Sequence, residues 1–222
     1  MSDVREASLE SEVAHAPGGV PGQLGPFLIL AAGGLWLHGR WDLLPERMPV
    51  HWNWLGEANG FVHRSVFGAS LPLLLGLAQC VLLLALQFGI RHGAPRGGMR
   101  APSLKLILAS EYLTALVSCG ALAAAVTGGR FLGASLLLTF GGGLALAVAS
   151  WVIVRTTPRA PARNPSAWRG PFYADREDPA LFVPKRYGVG YTFNFGNPFS
   201  LAMLAALLFV PLAIAGLLIS AR

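Results

Sequence analysis

Long apolar runs alternate along the chain with short polar intervals rich in proline and glycine. Four runs, residues 66–90, 106–126, 131–154 and 199–220, reach the length of about 20 residues that a helix needs to cross roughly 30 Å of hydrocarbon. A fifth, 25–37, has thirteen clean residues, and it extends to 23–41 once His38, Arg40 and Trp41 sit at the interface, where amphipathic side chains reach water. The pattern predicts an all-α integral membrane protein, a bundle of about five transmembrane helices.

One interval departs from the helical period. From Tyr187, the residues Tyr187, Val189, Tyr191, Phe193 and Phe195 alternate with Gly188, Gly190, Thr192, Asn194 and Gly196, which is the period of a half-buried strand. A lone strand leaves its backbone unsatisfied in lipid. It is therefore expected at a membrane face, paired with 171–184 as a β-hairpin. The interval 127–130 is so short that the spans on either side are antiparallel neighbours. Gly141, Ala145 and Ala149 recur at every fourth position and predict their line of close approach.

These intervals divide the chain into an acidic tail expected to be disordered (1–22), two helices with the loop between them (23–90), a basic loop and helical hairpin (91–154), a basic linker with a small cytoplasmic module (155–198), and a last span (199–222). The tail carries four acids against one arginine, so it reads as part of an uncleaved anchor and not as a signal peptide, which starts positive.

Composition agrees. Of 222 residues, 54% are hydrophobic and 13% charged, against about 25% charged in soluble domains. With five spans, twelve of the seventeen basic residues fall on one side, which predicts a multi-pass protein of the cytoplasmic membrane with its N-terminus inside and C-terminus outside. That bias also accounts for the pI near 10.0. Membrane lipids are thus the expected partners, and nucleic acid is not. Cys80 and Cys119 lie mid-span as small apolar residues, and no cysteine or histidine cluster suggests a metal.

Candidate chemistry is concentrated in three places. In "LPERMPVHWNWLGEANG" (44–60), His51 is the only histidine, flanked by Trp52, Asn53 and Glu57. Its separations of 13 and 12 residues from His38 and His63 match no zinc-ligand spacing, and for catalysis the loop offers only Glu46, Glu57 and Ser65 as orienting partner or nucleophile. Tryptophans suit the headgroup level, the prolines restrict the chain, and Asn59-Gly60 reads as a tight turn. This predicts a rigid outer loop suited to ligand recognition, with no catalytic residue. Glu111, the one charged residue inside a confident span, is a functional candidate by position, with Gln87 at similar depth. In the cytoplasmic module Asp178, Lys185, Arg186 and Asn194 are the candidates, the two basic ones for lipid headgroups.

Two segments also carry resemblances. Leu44-Pro45, Pro49, His51, Trp52, Asn53, Gly56 and Gly60 resemble the signature of a bacterial membrane family of unknown function that forms the N-terminal part of SdpI-like proteins. Asn59 stands where that family usually has an acid. "WRGPFYADREDPALFVPKRYGVGYTFNFGNP" (168–198) is similar to a second uncharacterised module, with Ala174 in place of a customary asparagine. Together they imply an integral membrane protein of SdpI-like type. Two structured motifs on opposite faces of one small bundle then lead to the expectation of sensing of, or immunity to, an envelope-acting peptide on the outer face, with the cytoplasmic module relaying state or binding a regulator. Neither implies an enzyme or a cofactor. The competing expectations are a small transporter or permease accessory using Glu111, and a membrane enzyme centred on His51.

Overall fold

A computed structural model describes residues 20–93, 100–157, 162–187 and 191–220. It contains five helices among these residues: α1 (Val20–His38), α2 (Val66–Gly93), α3 (Arg100–Val126), α4 (Leu132–Thr156) and α5 (Pro198–Ser220). Three segments among the described residues, Val66–Arg91, Arg100–Val126 and Leu132–Ile153, are long and apolar enough to cross a membrane. The fold is thus mostly helical and of membrane type, with small strand hairpins added. The expected disordered tail lies outside the described residues as far as residue 19, and α1 begins at Val20, inside the interval assigned to that tail.

The described residues form two compact units, those within 1–81 and 108–148 and those within 82–107 and 149–222. In the first, α1 runs parallel to α3. The Tyr112 hydroxyl donates to the Gly22 carbonyl at 2.9 Å and the Cys119 thiol to the Ile29 carbonyl at 3.5 Å, so the two helices keep a constant offset of 90 residues. Small residues make this approach possible, since a Cβ on Gly33 would lie 2.8 Å from Cys119 Sγ. Leu30, Leu37, Leu44, Met48, Leu73, Cys80 and Leu122 form the core. Helix hydroxyls bond to their own backbone, as in Ser118 to the Thr114 carbonyl and Thr139 to the Ser135 carbonyl. Such bonds satisfy polar atoms without a partner helix.

Helices α3 and α4 are joined through Gly128 and Gly129, at φ +64° and +96°. Their contact differs from the expected line. Helix α4 meets α3 through Gly142, where a Cβ would strike Leu113, and through Ser135 against Gly120. Gly141 faces open space and Ala145 is exposed. The small-residue period was real, but one position along a helix turns the contact face by about 100°.

Between α1 and α2 the chain forms an antiparallel hairpin of β1 (Arg47–Trp52) and β2 (Ala58–His63). Its register runs Arg47↔His63, Met48↔Val62, Pro49↔Phe61, His51↔Gly60 and Trp52↔Ala58, with irregularities on both sides of His51. The expected turn at Asn59-Gly60 is therefore corrected: both residues lie in β2, and the reversal is at 53–57.

In the second unit, β3 (Trp168–Arg169) pairs with β4 (Phe172–Tyr173), and β5 (Phe182–Pro184) with β6 (Tyr191–Phe193), all antiparallel. The β5–β6 pair is the hairpin expected of the alternating segment, although the strand is three residues long and residues 188–190 lie outside the described part. A bridge between Tyr173 and Asn194 links the two pairs. The Leu181 amide donates to the Gly93 carbonyl at 2.6 Å, tying the module to the end of α2.

Candidate functional site

Asn53 builds the tip of the β1–β2 hairpin. Its Oδ1 accepts from the Leu55 and Glu57 amides at 3.0 and 2.9 Å, and its Nδ2 donates to Glu57 Oε2 at 2.9 Å. The backbone closes the same loop, with the Asn53 amide donating to the Glu57 carbonyl and the Gly56 amide to the Asn53 carbonyl. Gly56 sits at φ +82°, where a side chain would be strained. Asn53 and Glu57, expected to bind a ligand, are thus engaged in shaping the turn.

What the turn presents is apolar. Trp54 is 91% exposed and Leu55 60% exposed at the tip. The base is fixed by buried Met48 and Pro49, by Arg47 stacked over Phe61 at 5.4 Å, and by Arg64 donating to the Leu44 carbonyl at 3.3 Å. Trp52 is half-buried, its indole nitrogen beside Gly129 in the α3–α4 connection. His51 is exposed on β1, its Nδ1 donating to Asn59 Oδ1 at 2.5 Å. An amide oxygen only accepts, so Nδ1 is the donor of this bond, and Nε2 is the other hydrogen-bonding atom of the ring. Among the described residues no three His, Cys, Asp or Glu side chains gather to hold a metal ion.

Glu111 is fully buried on α3, its carbonyl accepting from the Cys80 thiol at 3.6 Å, and Gln87 is buried on α2.

The second cluster of sequence candidates is a hydrogen-bond hub. Asn194 is completely buried. Its Nδ2 donates to the carbonyls of Asp175, Asp178 and Ala180 at 2.8, 3.0 and 3.2 Å, and its Oδ1 accepts from the Asp175 and Gly196 amides, both at 3.0 Å. Asp178, also buried, accepts from the Tyr173 hydroxyl at 2.8 Å and from the Ala180 amide at 3.0 Å. Burial, and then the Asp178 carboxylate, push the Tyr173 phenol well above its ordinary value. The Asn164 amide and the Glu177 N–H hold the Asp175 carboxyl below its own. Lys185 and Arg186 are exposed, Arg186 lying over the Tyr187 ring at 5.4 Å.

Residues 27–76 match a domain of unknown function (DUF1648), and residues 176–201 match a family of unknown function (DUF5808). The first spans the later part of α1 from residue 27, the hairpin and the start of α2. The second spans the Asp178–Asn194 network and the start of α5. No match was found among curated proteins or solved structures.

The ligand candidates expected from the sequence were His51, Trp52, Asn53 and Glu57; Trp54 was expected only as a headgroup anchor and Leu55 was not singled out, yet these two are the residues the hairpin exposes most. The available signal was Asn53 four residues before Glu57 with Gly56 between, an Asx-turn pattern whose tip faces outward. It also passed over Tyr173, Asn164 and Asn197, which complete the module.

Proposed function

We propose that this is an SdpI-like protein of the bacterial cytoplasmic membrane, with five spanning helices, its N-terminus inside and its C-terminus outside, that senses or confers immunity to an envelope-acting peptide through the β1–β2 hairpin. The observation that carries this reading is the hairpin tip. Its polar side chains are consumed in holding the turn, and it presents Trp54 and Leu55. A rigid aromatic anchor costs little entropy on binding and supplies large contact area. An amphipathic peptide at the membrane surface offers the matching apolar face. The module at 162–197 would then meet a cytoplasmic regulator through exposed Lys185 and Arg186.

The test is to delete the gene in a bacterium that carries it and to measure growth inhibition by membrane-active peptides. Restoration of resistance by the wild-type chain, and its loss with Trp54→Ser at unchanged protein level, is the expected result. Unchanged sensitivity of the deletion strain would refute the reading.

A further inference from the structure

In the first unit, α1, α3 and the connection before α4 border an open groove of about 430 Å³, lined by Ile29, Ala32, Gly33, Trp36, Cys119 and Leu122, with Ala123 and Phe131 completing it. Its size falls in the range of roughly 300–1,000 Å³ typical of small-molecule sites. Its wall is almost wholly apolar, and the small residues Ala32, Gly33 and Ala123 leave the space that larger side chains would fill.

The mouth is different. The 90-residue offset between the parallel helices α1 and α3 brings the segment after α1 level with the segment after α3. Arg40 follows the first and Arg130 the second, and both are exposed. The Arg40 guanidinium lies 4.8 Å from the ring of Trp36, which lines the groove, and Arg130 directly precedes Phe131, which also lines it. An apolar slot between helices, with Arg40 stacked on one lining ring and Arg130 next in sequence to another, complements an amphiphile with a hydrocarbon chain and an anionic head.

We propose that this groove is a binding site for an anionic phospholipid, one acyl chain lying along Ala32, Gly33 and Ala123 and the phosphate meeting Arg40 and Arg130. A second copy of the chain or a separate protein helix could fill the slot, but an apolar helix alone would supply no charge to the two arginines. Basic residues near a membrane surface each contribute enough to anionic-lipid binding to change occupancy about fivefold, so both together give a preference of roughly thirty-fold.

The full chain, purified in mild detergent and mixed with phosphatidylglycerol or phosphatidylcholine, is examined by native mass spectrometry. The wild type should retain phosphatidylglycerol over phosphatidylcholine by roughly thirty-fold. Arg40→Gln with Arg130→Gln should abolish the preference, and Ala32→Phe, at an exposed position, should lower retention of both lipids. Equal retention of the two lipids by the wild type would overturn the proposal, as would a preference that survives the double substitution or a lipid-free dimer. These outcomes are independent of peptide resistance.

Discussion

Replacing Asn194 with alanine should open the module. The asparagine is fully buried and makes five side-chain contacts, three donated and two accepted. Its amide has two hydrogens, so three carbonyls share two donors and the equivalent of four full bonds is lost. At about 1 kcal/mol each the loss is about 4 kcal/mol, and the part-buried amides of Asp175 and Gly196 left without this partner push it upward. Total domain stabilities are about 5–15 kcal/mol, so this is a large share of what holds a short module together.

Arg163, Arg169, Arg176, Lys185 and Arg186 lie in or beside it, which makes trypsin digestion of the purified chain a direct readout. If reclosing outpaces cleavage, 4 kcal/mol raises the cleavage rate by about a thousand-fold. Asn194→Asp is the sharper control. It keeps the volume and Oδ1 but turns an acceptor toward three carbonyl oxygens, so it should be at least as labile as the alanine variant. Cleavage of either variant within about threefold of wild type would refute the hub, since that corresponds to well under 1 kcal/mol.

Other expectations follow from the same geometry. Gly196→Ala should be as disruptive as Asn194→Ala in the same digestion, because its Cβ would sit 2.5 Å from the backbone nitrogen and carbonyl carbon of Asp175. Asn53→Ala should loosen the hairpin tip by about 1–2 kcal/mol, seen as faster amide exchange at Leu55 and Glu57 with the rest of the first unit unchanged. The module should be most resistant between an acid and an alkaline limb. Asp175 has a lowered folded pKa, so its contribution is present above the ordinary value of 3.8 and is lost as pH falls through the folded one. Tyr173 has a raised folded pKa, so its contribution is intact below the ordinary value of 10.0 and is lost as pH rises. Tyr173→Phe should remove the alkaline limb in a pH series of digestion rates, and persistence of that limb would contradict the assignment.

The helices were legible because an apolar run has only one way to satisfy its backbone in lipid, and all five expected runs are helical. Their faces were not. The stripe of Gly141 and Ala145 was visible, yet the contact passes through Gly142, because which face a helix turns inward depends on neighbours such as Leu113. The alternating segment announced its strand and partner. The 47–63 hairpin did not announce itself, because Pro49, two tryptophans and a bulge beside His51 hide the period of two. The candidate residues were visible as types, but whether Asn53 faces a ligand or its own backbone depends on where the turn falls.

That last ambiguity has a physical origin shared by both motifs. Segments this short, placed beside apolar helices, cannot bury enough carbon to hold a shape; below about 40 residues chains usually need a disulfide, a metal or a partner. Here asparagines supply the closure instead, since one amide can accept and donate to backbone at once. Asn53 closes the hairpin, Asn194 gathers three carbonyls, and Asn197 caps α5 through the Phe199 and Ser200 amides while donating to the Pro179 carbonyl. The polar residues that make these motifs look like active sites are therefore largely occupied by folding. What that folding leaves displayed includes Trp54 and Leu55 on the hairpin, and Lys185 and Arg186 on the module. Substitutions there should leave both units folded, whereas substitutions at the asparagines should not, and that contrast separates recognition from architecture in a single mutational series.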